Sequence, residues 1–179
     1  GARLALWVIP NIEFFSLKRP MAGHPFEKAG SEVPTVRPWG QRDYGNRIGI
    51  FRVMDVLQRY GIRATATVNA DIVDHHPQIL EDALKRDWEL MGHNLTNSVR
   101  LTGMSPEEEL AVIHGSLDKL ERFSGRRPRG WLGSGLAETW NTLDVLASAG
   151  VEYVSDWVND DQPYYMDTSP NRLVYMPYS

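Results

Sequence analysis

Residues 63–94 read RATATVNADIVDHHPQILEDALKRDWELMGHN, and the fold turns on whether they form one strand–helix–strand unit. Residues 63–70 are β-branched and alternating, the pattern of a strand. Pro77 stands at the start of an apolar-periodic run over 76–86, where its missing N–H costs a helix nothing. WELMGHN then predicts a short second strand that delivers His93 at its end. Two strands joined by a helix need a crossover, so the unit predicts parallel pairing and a right-handed connection.

The same alternation continues on both sides. RLALWVIPN (3–11) is a continuous apolar run ending in polar residues, as a buried parallel strand reads. NRIGIFRVMDVLQRYG (46–61) puts Ile50, Met54 and Leu57 on one helical face and stops at Gly61. Residues 105–125 are the clearest helix. Ser105 and Glu108 form a capping box, Pro106 opens the first turn, and Gly125 ends it. Its apolar stripe is expected at Leu110, Ile113, Leu117 and Leu120. RGWLGSG predicts a strand and turn, 138–150 a helix, and 151–157 and 172–179 two further strands. The architecture expected is therefore α/β, built from parallel βαβ units. No helix follows the last strand, and a closed eight-unit barrel takes at least roughly 200 residues, so the barrel is expected to be left open.

Between the first strand and first helix, residues 15–45 form a long stretch without periodicity, rich in proline and glycine. It is expected either to cover the site or to meet a neighbouring subunit, with Phe26, Trp39 and Tyr44 serving either purpose.

Bulk properties exclude several classes. The 179 residues carry a formal net charge of −4, which argues against a nucleic-acid-binding face. No run approaches the roughly 18 apolar residues of a membrane span, and no secretory signal is legible. The cysteine count is 0, which removes disulfides, thiolate catalysis and cysteine zinc sites. The expected compartment is the cytoplasm, with no membrane and no nucleic-acid partner.

Polar residues gather at four predicted strand ends, where sites form in parallel α/β folds. They are Asn11 and Glu13, Asn69 and Asp71, His93 and Asn97, and the group Asp156, Asp160 and Asp161. A carboxylate and a histidine with further acids in one mouth suit acid–base work or a divalent metal. His75 and His76 are adjacent, so their side chains diverge, and they read as a helix start. His114 and His24 have no partner at ligand spacing.

The stretches NIEFF, TVNADI, MGHNLTN, residues 125–166 and VYMPYS together resemble the polysaccharide deacetylase superfamily, also called NodB-homology or carbohydrate esterase 4-like. The branch resembled is that of allantoinase-type and cyclic-imide-hydrolysing enzymes. The resemblance implies a single NodB-like domain over 1–179, a distorted (β/α)7 barrel cut off after about six strands. It implies hydrolysis of a non-peptide C–N bond in a small amide, cyclic imide or ureide, by a homo-oligomer. It also leaves two alternatives, a metal-dependent N-deacetylase of an amino sugar or peptidoglycan and an inactive barrel that binds a small molecule.

The departures from that family bear on the metal. Its standard members pair two carboxylates at the first strand with two histidines four residues apart. Here Glu13 takes either the ligand's place, with Asn11 in the base's, or the base's place, with Phe14 in the ligand's. Asn97 replaces the second histidine in both cases, and Leu132 stands where an arginine is usual. A neutral amide oxygen is a poor zinc ligand. A Glu13–His93–Asn97 set is therefore expected to hold a divalent metal, zinc included, weakly or not at all. Under the resemblance Glu13 is the base or a metal ligand, and His93 orients water or donates to the oxyanion. Asn11 and Asn97 bind substrate, Asp160 or Asp161 orients the imidazole or the substrate, and Trp131 is an apolar wall or a core residue.

Overall fold

The structure is a computed structural model and describes residues 3–18 and 36–178. His24, Phe26 and most of the 15–45 stretch lie outside the described residues. Six parallel strands run in the order β1 (Asn11–Ile12), β2 (Thr65–Val68), β3 (Glu89–Gly92), β4 (Gly130–Trp131), β5 (Tyr153–Val154) and β7 (Leu173–Tyr175). A seventh, β6 (Tyr164–Met166), pairs antiparallel to β7 and forms the far edge. The fold is thus the expected mixed α/β sheet, mostly parallel and open between β1 and β6 among the described residues. The hairpin strand β6 was not legible, because YYM sits among prolines and acids with no alternation to mark it.

The decisive unit is as read. β2 and β3 pair in parallel from Thr65↔Glu89 to Val68↔Gly92. Between them lie a short helix α3 (Ile72–His75) and α4 (Pro77–Lys85), with Pro77 at its first position. β2 is buried throughout, as a central strand between two neighbours must be. β1, with a partner on one side only among the described residues, is not the continuous buried strand expected over 3–11. Backbone N–H groups of Thr65, Thr67 and Asn69 donate to Val8, Pro10 and Ile12, but Leu4 and Leu6 are exposed.

Ahead of β2, one long helical stretch runs α1 (Val36–Tyr44), a five-residue π turn (Gly45–Gly49) and α2 (Ile50–Arg59). The last part of the stretch expected to be irregular is therefore helix. α2 buries Ile50, Met54 and Leu57 as its spacing requires. The long helix α5 (Pro106–Ser124) has its full capping box and a left-handed Gly125 at its end. Its buried stripe is Glu109, Ile113, Leu117 and Leu120, while Leu110 is half-exposed. The face is rotated because the Glu109 carboxylate accepts bonds from the Thr139 and Thr142 hydroxyls, the latter at the start of α6 (Thr142–Ser148). Two apolar clusters result, one around β1–β3 with α2 and α4, the other around β4, β5 and β7 with α5 and α6.

Candidate active site

The C-terminal ends of β1, β2 and β3 converge through one residue. Asn69, fully buried just past β2, accepts a hydrogen bond from the Phe14 N–H at 2.8 Å. Its amide nitrogen donates to the His93 carbonyl and to Ser134 Oγ. The Thr96 hydroxyl and the Asn97 N–H both donate to the Phe14 carbonyl at 2.9 Å. Segment 13–15 is thereby bolted to the loop after β3, which fixes the Glu13 backbone against His93.

His93 is buried, and its Nδ1 donates to the carbonyl of Leu132. A carbonyl can only accept, so Nδ1 carries the proton and Nε2 faces the site. Nε2 lies 3.6 Å from Glu13 Oε1, longer than a direct hydrogen bond. Both His93 Nε2 and Asn97 Oδ1 are buried without a hydrogen-bond partner. These three groups, predicted from sequence as site residues, all come to the ends of β1 and β3.

A fourth group was not foreseen. Arg42, on α1, places Nη1 3.7 Å from Glu13 Oε2 and its guanidinium 4.1 Å over the Phe15 ring. The only sequence hint was a guanidinium near an aromatic in a stretch without periodicity. Glu13 and Arg42 together line a cavity of about 510 Å³ with Asn46 and Phe15. A larger cavity of about 760 Å³ is lined by Phe14, Phe15, Trp39, Asp43, His75 and His76, and it does not include Glu13 or His93.

Three expected site residues, Asp160, Asp161 and Asn11, do not take their expected roles, and Trp131 takes the second of its two expected places. Trp131 is fully buried in the second apolar cluster, its ring packed so tightly that a Cβ at Gly92 would sit 2.6 Å from it. It is a core residue, not a wall. Asp160 and Asp161 are exposed, and the Asp160 carboxylate accepts from the Gln162 N–H within its own turn. The imidazole needs no acid to orient it, because the Leu132 carbonyl already does so. Asn11 has both ends of its amide engaged, Nδ2 donating to the Tyr178 hydroxyl and Oδ1 accepting from Thr67.

The buried acid of the last group is Asp156. Its Oδ1 accepts the Gly133 N–H, and burial, reinforced by the charge of Glu138, pushes its carboxyl well above the usual range. Glu138 is raised mainly by burial as well, although it accepts from Trp157 Nε1.

Among the described residues no three His, Asp or Glu side chains gather as a metal cluster, so a cation here depends on the Asn97 amide. No helix among the described residues is long and apolar enough to cross a membrane.

A family model described as polysaccharide deacetylase matches residues 43–154. Among solved structures, the Puue allantoinase aligns with a TM-score of 0.79 at 19% identity, over 97% of this chain and 61% of that one. A probable polysaccharide deacetylase from Pseudomonas aeruginosa PAO1 aligns at 0.80 and 20% identity, over the same 97% and 61%. A CE4 family pseudoenzyme from Bacillus anthracis aligns at 0.58 and 10% identity, over 82% of this chain and 42% of that one. At such identities the likeness is one of fold. The chain spans about three-fifths of the first two structures. No curated protein matches it.

Proposed function

Because the chain belongs to the polysaccharide deacetylase family, we propose that it hydrolyses a non-peptide C–N bond with water activated by Glu13 beside His93. The substrate class is a small amide, cyclic imide or ureide rather than a polysaccharide. The observation that carries this reading is the pairing of one half-buried carboxylate with a buried imidazole whose tautomer is fixed by the Leu132 carbonyl.

In this mechanism Glu13 accepts a proton from water as the water oxygen forms a bond to the carbonyl carbon. The carbonyl π pair moves onto its oxygen. Collapse of that tetrahedral species breaks the C–N bond, and the leaving nitrogen takes the proton back from Glu13. His93 Nε2, as a lone pair, accepts a hydrogen bond from the attacking water and holds it on the Glu13 side. The substrate preference is supported by the replacement of a histidine by Asn97, which weakens a deacetylase-type metal site, and by the absence of the usual arginine at Leu132. One similar structure is named an allantoinase, which agrees with that preference.

A second reading is favoured by the two unpartnered buried atoms, His93 Nε2 and Asn97 Oδ1. With Glu13 they fit a divalent cation, which would polarise the carbonyl and acidify bound water. The set carries one negative charge and one neutral amide, a donor mix better suited to a hard cation than to zinc.

The test uses the full-length gene product on allantoin, hydantoin and succinimide beside N-acetylglucosamine oligomers, each with and without a chelator. Ring opening that exceeds deacetylation and survives the chelator is the expected result. Robust acetate release from the oligomers that collapses on chelation and returns with zinc would overturn it.

A further inference from the structure

Three side chains on one face of the helical stretch before β2 point at the end of β1. Trp39, Arg42 and Asn46 are spaced three and four apart, the interval at which helical side chains are neighbours. Trp39 Nε1 donates to the Phe15 carbonyl at 2.8 Å, and Asn46 Nδ2 donates to the Glu13 carbonyl at 2.7 Å. Asn46 lies in the π turn, a wide turn of the kind that re-aims side chains at functional sites. The helix is thus fastened to the backbone of residues 13 and 15 on either side of Arg42. The guanidinium between those two fastenings sits over the Phe15 ring, with Nη1 3.7 Å from Glu13 Oε2.

We infer that Arg42 is the oxyanion-stabilising residue of this site, supplying from α1 the guanidinium that Leu132 cannot. This rests on the hydrolase reading above. At 3.7 Å the Arg42–Glu13 contact is too long to be a hydrogen bond, so the fork of the guanidinium is not closed on the carboxylate. A carbonyl oxygen brought to Glu13-activated water meets that fork on the same side of the site. Its charge grows as the C–O bond forms, and a permanently ionised guanidinium stabilises it without a proton transfer. Leu132, almost wholly buried, contributes only its backbone carbonyl to His93. Among the described residues Arg42 is the one arginine or lysine within ion-pair distance of Glu13. The substrate class that follows is a neutral planar carbonyl compound whose oxygen becomes anionic, an amide, imide or ureide.

The experiment measures kcat and KM for wild type, Arg42→Ala and Arg42→Lys in the full-length protein on the best substrate of the panel above. Thermal unfolding is followed alongside. Loss of one oxyanion donor lowers kcat by about 100- to 1,000-fold, with KM little changed. Arg42→Lys recovers part of the rate, since a point charge replaces the fork. Millimolar guanidinium added to Arg42→Ala restores part of kcat, which a purely structural role would not allow. An active wild type whose Arg42→Ala keeps kcat within about threefold overturns this inference and leaves the hydrolase reading standing. A loss that guanidinium does not rescue, matched by a fall in unfolding temperature, also overturns it. A wild type that turns over nothing in the panel overturns both.

Discussion

Asn97 sits four residues after His93, and its side-chain oxygen is buried with nothing to accept from. That arrangement makes one substitution informative. Asn97→His replaces an amide oxygen by an imidazole nitrogen, a far better zinc ligand, in a loop already fastened to Phe14. Zinc affinity measured by titration calorimetry is expected to tighten by at least about tenfold, which corresponds to about 1.4 kcal/mol. An unchanged affinity would mean that residue 97 does not face the cation position. Glu13, His93 and Asn97 were legible because strand ends collect chemistry in parallel sheets. The role expected of Asp160 was not met, and Trp131 was left between wall and core, for a related reason. Sequence places a residue near a strand end but does not say whether its side chain points into the mouth, into the core or into its own turn.

The loops after β4 and β5 are tied by a pair of carboxyl groups, Glu138 and Asp156, both raised above their ordinary range. Each binds its proton more tightly in the folded protein than in the unfolded chain. Their stabilisation is therefore fully present below the ordinary carboxylate range and is lost as pH rises through the raised values. The exposed pairs Asp118–Arg127 and Glu152–Arg129 act in the opposite sense, and are lost as pH falls below that range. Asp156→Asn keeps the acceptor for the Gly133 N–H and removes the titration. Urea unfolding between about pH 5 and pH 8 should show wild-type stability declining with pH and the variant declining less, the remaining slope coming from Glu138, which burial still raises. At the next strand pair, Gly92→Ala would press a methyl against the Trp131 ring. It is expected to cost about 1–3 kcal/mol, read from the denaturant midpoint.

At this scale the capped and periodic elements were legible and the others were not. α5 could be read to its capping box, yet its buried stripe was placed one residue off, since a buried Glu109 satisfied by two threonines looks polar in sequence. α1 was hidden among prolines and glycines, and with it the helix that carries Arg42 to Glu13, whereas Asn46 fell at the start of the helix read over 46–61.

Across the whole molecule, β2 to β5 with β7 form a parallel sheet whose strand ends hold the site, and β1 brings Glu13 to it from the edge. Past the end of β1, residues 13–15 are held by side-chain fastenings from Asn69, Thr96, Trp39 and Asn46. Parallel order and the location of the mouth followed from the alternation of strands and helices. The antiparallel hairpin of β6 and β7 did not, because no local pattern announces a reversal of direction there.

The central claim is that Glu13 activates water beside His93. Its most direct measurement is the hydrolysis rate of Glu13→Gln against wild type in the full-length protein, on the substrate that wild type turns over fastest and with the fold checked by circular dichroism. The account predicts a folded variant whose kcat falls by at least about 100-fold, the scale of a lost general base. A folded Glu13→Gln that keeps the wild-type rate would contradict it.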